Sequence, residues 1–183
     1  TVVIQGPGHM GLTCAAYAKS LGADKVIVTG TSDDALRLDV ALKVGADHVI
    51  DVMVDDPVDA VMDLTGGFGA SLAVDLASAP GTPSLCFDLV HHRATVIWAG
   101  LKDRQAVPVV TDKVVMKGLR VLGGAGGDAG SVDEAARILN EGGFPTAPLL
   151  GTVVGLDEVD RAMALLHRDG DEDAVRAVLK HTH

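Results

Sequence analysis

The sequence predicts an α/β fold built on a doubly wound, six-stranded parallel sheet, followed by a C-terminal return segment. Short runs rich in β-branched residues alternate with Ala- and Leu-rich stretches that end at glycines, a pattern typical of buried parallel strands connected by helices. Aromatic residues make up only 3% of the 183 residues whereas 22 are glycine, so the core must consist of small aliphatic side chains between closely approaching elements. Right-handed crossovers then predict the strand order 3-2-1-4-5-6.

The first half of the sequence alternates strand and helix. Its strands are predicted at residues 1–5, 25–29 and 47–52. Its helices are predicted at 12–21 and 33–44, each followed by a glycine, which is a helix-stop signal. The second half repeats the alternation, with helices at 57–64 and 84–90 and strands at 71–76, 95–99 and 119–122. Together these elements define one doubly wound domain over residues 1–143.

Residues 144–183 differ in composition and are predicted to form a separate C-terminal segment. The preceding helix is predicted at 131–140, because Ser131 followed by Glu134 fits a capping box. Within the segment, residues 157–168 are amphipathic, with one apolar face formed by Val159, Ala162, Met163 and Leu166. A last strand is predicted at 174–179. Since this segment falls outside the six-strand alternation, we expect it to pack on another surface.

Composition and charge exclude several classes of protein. With 48% hydrophobic and 22% charged residues, the chain is neither disordered nor fibrous. The net charge of −10 opposes binding to nucleic acid or an anionic membrane, because such affinity comes largely from Lys and Arg neutralising phosphates. No apolar run approaches the roughly 18 residues of a membrane span, and no secretory pattern begins the sequence, so we expect a cytoplasmic protein. A start at Thr1, inside a strand and without Met, favours a fragment or a processed chain.

A glycine-rich loop carries the strongest functional signal. The stretch GPGHMG after the first strand fits G-x-G-x-x-G, and its position between a strand and a helix makes the pattern specific for a Rossmann-type dinucleotide site. Gly6 permits the tight turn, Gly8 lets the backbone approach a pyrophosphate, and Gly11 allows close packing of helix on strand. The amides of His9 and Met10 then face the anion at the helix start. The alternative is a turn that needs glycines only for steric reasons.

The end of the second strand bears on the choice of cofactor. About 20 residues past the loop, NAD-binding folds carry an Asp or Glu that binds the ribose 2′-hydroxyl. That position is Gly30 here, which removes both this partner and the repulsion of a 2′-phosphate, so NADP is slightly favoured over NAD. Thr31 and Ser32 are available as donors to a phosphate, and Arg37 is close in sequence, although the two neighbouring aspartates oppose it. Alternatively, Gly30 is a turn glycine and NAD binds through other groups.

The chain resembles the medium-chain dehydrogenase/reductase superfamily, especially its zinc-dependent alcohol and polyol dehydrogenases, over nearly its whole length. The stretches that carry the resemblance are LGADKVIVTG, VGADHVIDV, LTGGFGA, VIWAGL and KGLRVLGG. The resemblance implies that the nicotinamide half of the cofactor is lined by Leu76, Ala77, Ala99, Gly100 and Leu101. It also implies that backbone from Arg120 to Leu122 meets the carboxamide.

The sequence departs from the zinc-dependent members in one respect. In those members a separate preceding domain supplies the ligands of catalytic zinc, which are Cys, His and either Glu or a second Cys, and this sequence lacks that domain. Zinc is therefore possible in a parent enzyme, but we assign no metal to this chain. Cys14 and Cys86 form no CxxC pair and are expected in the core, and His91 and His92 are expected to be solvated rather than ligands. No catalytic residue is assigned. The candidate carboxylates at strand ends and in loops are expected to be mostly solvated; they are Asp51, Asp55, Asp56 and Asp75.

The resemblance implies an oxidoreductase that transfers a hydride between an alcohol or carbonyl substrate and NAD or NADP, with this chain holding the cofactor. Two alternatives remain open: a zinc-free quinone or enoyl reductase of the same superfamily, and a non-catalytic nucleotide-binding module that senses the NADPH to NADP ratio. Residues 144–183 would pack on the absent N-terminal catalytic domain. Residues 106–110 (AVPVV) resemble the segment that joins two cofactor domains into one sheet, so we expect an edge strand there and a homodimer through it.

Overall fold

The computed structural model describes residues 1–167 and 173–181, and it contains the expected sheet. The six strands are β1 (Val2–Gln5), β2 (Val26–Gly30), β3 (His48–Asp51), β4 (Ala70–Asp75), β5 (Val90–Trp98) and β6 (Arg120–Gly123). The helices between and after them are α1 (His9–Ser20), α2 (Ala35–Lys43), α3 (Pro57–Leu64), α4 (Thr82–Leu89), α5 (Thr111–Lys117) and α6 (Ala129–Glu141). All five strand pairings are parallel, in the order β3-β2-β1-β4-β5-β6, so the doubly wound Rossmann architecture is confirmed.

The sheet is covered on both faces because its strands carry apolar side chains on both sides. On one face, Val3 belongs to a fully buried cluster with Phe87 of α4 and Val61 of α3. On the other face, Ile4 belongs to a second cluster with Leu12 of α1 and side chains of α2. Successive residues of β1 thus point into different cores, which is why the strands read as continuous β-branched runs.

The carboxyl ends of the strands meet at one edge of the sheet, which we call the carboxyl edge. The register aligns Gln5 with Thr29 on one side and with Asp75 on the other. It continues to Trp98 and Gly123. In open α/β sheets, ligands bind in the crevice outside this edge, where the chain order reverses. Here the reversal lies between β1 and β4.

Several element boundaries differ from the sequence-based expectations. The capping box at Ser131 and Glu134 is wrong: α6 starts at Ala129, and Asp128 caps it by accepting a 2.8 Å hydrogen bond from the backbone N–H of Ser131. Glu134 instead pairs with Arg137 along the helix. The strand expected at 95–99 is longer than expected, because β5 already starts at Val90. Helix α5 was not expected at all.

The C-terminal segment forms a small unit of its own. Two strands, β7 (Thr152–Gly155) and β8 (Ala177–Lys180), pair in parallel, and α7 (Val159–His167) packs on them. The apolar face expected on this helix is partly wrong, because its buried residues are Ala162 and Leu165 while the other three expected members are about half exposed. A short 3₁₀ turn (Leu156–Glu158) precedes the helix, and Ala162 and Leu165 form a buried cluster with Val154 of β7. Its expected last residue, Arg168, lies outside the described residues.

The C-terminal segment also contacts the sheet domain. Phe144, Leu149 and Val175 pack against the apolar cluster on the α1 and α2 face. The buried guanidinium of Arg37 on α2 donates a 2.7 Å hydrogen bond to the carbonyl of Ala174. Within the described residues, none of the helices combines the length and apolarity that crossing a bilayer requires.

Candidate dinucleotide site

The glycine loop lies at the carboxyl edge between β1 and α1, and steric need explains two of its three glycines. Gly6 adopts φ +97°, and a Cβ there would lie 2.9 Å from the backbone N and Cα of Ala77. A Cβ on Gly11 would lie 1.9 Å from the carbonyl oxygen of Gly6. Gly8 differs, because it has extended backbone angles (φ −65°, ψ 172°) and a Cβ there would meet nothing within 4 Å. A purely steric account of the loop therefore leaves Gly8 unexplained.

The start of α1 is suited to bind an anion. Gly8 is its N-cap residue, no side chain caps it, and no acidic residue lies in its first turn. The first amides of a helix lack intrahelical acceptors and lie at the positive end of its dipole. His9 and Met10 contribute two of these amides, and the Met10 side chain is exposed. The chain thus offers backbone donors and open space at the same point.

Arg176 adds positive charge near this loop, and sequence reasoning missed it. Partial burial, and then the positive charge of Arg176, lower the pKa of His9. Arg176 immediately precedes β8, far from the glycine loop in sequence. No local pattern indicates this proximity, because it arises only from the packing of the C-terminal segment.

Gly30 ends β2 in a buried position, and packing alone accounts for a glycine there. A Cβ at Gly30 would lie 2.8 Å from Cγ of Pro7 and 3.0 Å from Cδ2 of Leu38. This contact agrees with the alternative in which Gly30 is required by its surroundings. It does not by itself identify the group that binds a ribose.

The hydroxyl groups expected to meet a phosphate are engaged with carboxylates. Asp34 is buried and accepts hydrogen bonds from both N and Oγ1 of Thr31, each at 3.0 Å. Ser32 donates a 2.6 Å hydrogen bond to Asp51, which ends β3. Arg37 is buried, with Nη1 3.4 Å from Asp34 and Nη2 3.5 Å from Asp173. The structure therefore places Arg37 against the C-terminal segment.

The loops after β4 and β5 meet the glycine loop at the carboxyl edge. The amides of Ala99 and Gly100 both donate to the carbonyl of Asp75, at 3.0 and 2.7 Å. A Cβ on Gly100 would lie 2.3 Å from the carbonyl oxygen of Ala77. Leu76 and Leu101 flank these contacts, and Leu101 is 82% exposed. The structure thus brings together the residues that the resemblance assigned to the nicotinamide half.

The two assigned residues of β6 are placed differently. Leu122 pairs with Ile97 near the carboxyl edge and is partly exposed. Arg120 pairs with Thr95 at the other end of the strand. The structure does not bring Arg120 together with the other assigned residues, whereas Gly123 reaches the edge beside Trp98.

Asp75 is not solvated, contrary to the expectation for the strand-end carboxylates. Its side chain is fully buried at the end of β4, and one oxygen lies 2.9 Å from Nζ of Lys102. Its other oxygen accepts hydrogen bonds from Oγ1 of Thr82 at 2.8 Å and from N of Ala77 at 3.2 Å. Lys102 also donates to the carbonyl of Ala77. A buried carboxylate requires such partners, because desolvation would otherwise disfavour its charge.

The cysteines lie at or near the core, as expected. Burial, and then the negative charge of Asp75, raise the pKa of Cys86 to about 12, and the amide of Gln5 donates to its Sγ at 2.8 Å. The same amide donates to the carbonyl of Thr82. Burial also raises the pKa of the half-buried Cys14. Raised pKa values keep both thiols protonated near neutral pH, so neither is an activated nucleophile.

Among the described residues, no three His, Cys, Asp or Glu side chains converge in a way that would hold a metal ion. His91 and His92 lie within β5 rather than in a loop before it. They border a surface cavity with Gly67 and Phe68 at the amino end of the sheet. They are therefore remote from the carboxyl edge.

The fold and the arrangement at the carboxyl edge define a protein of the Rossmann class, and comparison with known proteins gives its family. The model of the zinc-binding dehydrogenase family matches residues 10–141. A probable alcohol dehydrogenase of Mycobacterium tuberculosis is 40% identical over 175 residues, which cover 92% of this chain and 47% of the relative. The chain belongs to the zinc-binding dehydrogenase family and corresponds to the cofactor-binding segment of zinc-type medium-chain dehydrogenases and reductases.

Solved structures agree with this assignment at the level of the fold. An alcohol dehydrogenase zinc-binding domain protein from Burkholderia ambifaria superposes with a TM-score of 0.87 at 24% identity, covering 100% of this chain and 49% of that one. A short chain alcohol dehydrogenase from E. coli CFT073, complexed with cofactor NADH, gives a TM-score of 0.82 at 22% identity and covers 94% and 50%. The chain spans about half the length of the relatives it matches.

Proposed function

We propose that this chain is the NAD(P)-binding part of an alcohol dehydrogenase-like oxidoreductase that transfers a hydride between an alcohol or carbonyl substrate and a nicotinamide cofactor. The observation that carries the proposal is the open space at Gly8, directly before the uncapped start of α1 at the carboxyl edge. Membership of the zinc-binding dehydrogenase family supports the reaction class. Any catalytic zinc would belong to the remainder of the parent enzyme.

The described residues fit a dinucleotide. Its pyrophosphate would lie against the amides of His9 and Met10, where Arg176 adds positive charge. Its nicotinamide half would be lined by Leu76, Ala77, Ala99, Gly100 and Leu101. When bound, the nicotinamide supplies the hydride chemistry, while the protein binds and orients it.

Titration calorimetry of the 183-residue chain with oxidised and reduced forms of both dinucleotides tests this proposal. We expect saturable binding of a dinucleotide with one site per chain. We expect no alcohol oxidation by the chain itself, because no acid–base set or metal site is assigned to it. Absence of binding by all four compounds to the folded chain would overturn the proposal.

We propose NADP as the slightly preferred cofactor, because Gly30 provides no carboxylate to bind a 2′-hydroxyl or to repel a 2′-phosphate. The carboxylate of Asp51 opposes binding of a 2′-phosphate, because it is negatively charged and accepts the hydrogen bond of the Ser32 hydroxyl at 2.6 Å. For Ser32 to donate to a phosphate, this hydrogen bond must break.

Asp51→Asn is therefore expected to shift the ratio of the two dissociation constants about fivefold in favour of NADP, or about 1 kcal/mol. The substitution removes one negative charge, and the Asn carbonyl can still accept from the Met53 amide, as Asp51 does at 2.9 Å. Calorimetry with NADP and NAD measures the ratio. Asp63→Asn, an equal change of charge at an exposed position on α3, should leave it unaltered. Equal ratios for both variants would place the ribose elsewhere.

We further propose a homodimer through residues 106–110. These residues form no strand, contrary to the expected edge strand, and Val109 packs against the chain's own core. The apolar surface beside them is nevertheless extensive, with 50% exposure at Val110 and 77% at both Val115 and Met116. Exposed apolar surface of this kind marks interaction sites.

Val110→Lys is expected to convert such a dimer into a monomer, because a lysine charge would have to be desolvated in the interface. Static light scattering over a range of concentrations measures the change. The matched control is Val54→Lys, an equally drastic change at a 75% exposed position beyond the opposite sheet edge. A monomeric wild type at high concentration would contradict the dimer.

We also propose that residues 144–183 pack on the catalytic domain of the parent enzyme. Among the described residues of this segment, several apolar side chains are left uncovered by the rest of this chain. Those about half exposed are Leu150, Val153, Leu156, Val159, Met163, Leu166 and Leu179. A further surface would bury them and stabilise the segment.

A further inference from the structure

We propose that the buried ion pair of Asp75 and Lys102 holds in place the loops that face the nicotinamide. Because its two charges cancel, the pair also leaves no net charge beneath the nicotinamide ring. Lys102 is a positioning residue in this proposal, because it acts through Ala77 and not by contact with the cofactor. The inference rests on the proposed dinucleotide function and adds to it a determinant of how the oxidised and reduced cofactors are distinguished.

The ion pair connects two loops at the carboxyl edge. Asp75 ends β4, and Lys102 lies four residues after the end of β5. Their charged groups are 2.9 Å apart, and their side chains are only 0% and 9% exposed. Lys102 also donates to the carbonyl of Ala77, so one ammonium group holds both the end of β4 and the loop that follows it.

Ala77 transmits this constraint, because neighbouring backbone touches it on two sides. A Cβ on Gly6 would come within 2.9 Å of its N and Cα, and a Cβ on Gly100 within 2.3 Å of its carbonyl oxygen. Close packing leaves little room for one loop to move without the others. The carbonyl that Lys102 holds is the one that faces Gly100, so its release would disturb the loop after β5, on the nicotinamide side, rather than the glycine loop.

Burial of the pair also gives it an electrostatic role. Asp75 and Lys102 carry opposite charges and are almost completely buried, so the pair has no net charge and is shielded from water. Thr82 and the Ala77 amide occupy the remaining oxygen of Asp75. Removing either partner leaves one buried charge without its counter-ion. An oxidised nicotinamide carries a positive charge and a reduced one does not, so an uncompensated charge nearby must affect the two forms unequally.

The test compares dissociation constants for the oxidised dinucleotide, the reduced dinucleotide and ADP-ribose, which lacks the nicotinamide. Lys102→Met leaves the Asp75 carboxylate and should shift the ratio toward the oxidised form by about fivefold, as expected for one uncompensated charge in a partly desolvated site. Asp75→Asn leaves the lysine charge and should shift the ratio the opposite way. Affinity for ADP-ribose should change less than twofold in both variants, by the same reasoning.

Two further variants complete the design. Lys113→Met removes a lysine that pairs with Asp88 at 2.7 Å in a half-exposed position on α5, and it should leave all three affinities unchanged. The double variant Asp75→Asn with Lys102→Met removes both charges. It should restore the wild-type ratio of oxidised to reduced binding, and a shifted ratio in this variant would overturn the charge argument even if the single variants do not fold.

The outcomes separate this proposal from the function on which it rests. A wild type that binds neither dinucleotide nor ADP-ribose overturns both. Binding by the wild type, with shifts of the same sign in both single variants or an equal loss of all three compounds, overturns only the role of the ion pair. Opposite shifts in the two single variants that cancel in the double variant support it.

Discussion

Replacing Gly11 by alanine is expected to lower the free energy of unfolding by about 3 kcal/mol, the upper part of the range for overpacked sites. The added methyl group would lie 1.9 Å from the carbonyl oxygen of Gly6, which is backbone and cannot rotate away. Relief requires α1 to move off β1, and Leu12 and Ala15 would then lose their fully buried contacts. The effect is large although alanine normally favours a helix.

Urea denaturation followed by tryptophan fluorescence measures this loss. The only tryptophan, Trp98, lies 5.7 Å from the ring of Phe87 in the core, so its emission reports on global unfolding. Gly130→Ala is the matched control, since Gly130 occupies the first turn of α6 and an added Cβ comes no closer than 3.5 Å to another group. That variant should gain up to about 1 kcal/mol of stability from helix propensity. Equal stability of Gly11→Ala and wild type would contradict the close helix–strand contact.

Local composition is sufficient to predict the sheet, but it does not reveal α5. Every strand from β1 to β6 was expected, because each contains a short run of β-branched or aliphatic residues that leaves a local apolar signal. Thr111–Lys117 has no buried residue, so no apolar period marks it as a helix. Tertiary contacts hold it instead: Lys113 pairs with Asp88, and Lys117 donates to the carbonyl of Phe87. Contacts between residues so far apart in the sequence leave no pattern in a short stretch of it.

The same distinction applies to the site. The glycine loop was predictable because its three glycines lie within six consecutive positions after a strand. Lys102 was missed because its partner Asp75 is 27 residues away, and Arg176 because only the packing of the C-terminal segment brings it near His9. Asp75 was misjudged as solvated for the same reason, since the charge that permits its burial comes from another loop.

Gly8 provides the most direct test of the dinucleotide assignment, because its substitution should separate binding from folding. A Cβ at Gly8 would meet nothing within 4 Å, and its φ of −65° and ψ of 172° suit a β-branched residue. Gly8→Val should therefore cost no more than about 1 kcal/mol of the free energy of unfolding, the usual loss when a favourable N-cap residue is replaced by an apolar one. In this respect it is the counterpart of Gly11→Ala, which changes folding at the other end of the same loop.

Binding should respond very differently. The two methyl groups of a valine at position 8 would occupy the space in front of the His9 and Met10 amides, where the pyrophosphate is proposed to lie. We expect the affinity for dinucleotide to fall about a hundredfold, equivalent to about 3 kcal/mol, because the ligand must either withdraw from these amides or displace the loop. Gly8→Ala, with a single methyl group, should fall between wild type and Gly8→Val. Calorimetry on the three proteins measures the series, and equal affinities in folded proteins would show that the pyrophosphate does not bind at this loop.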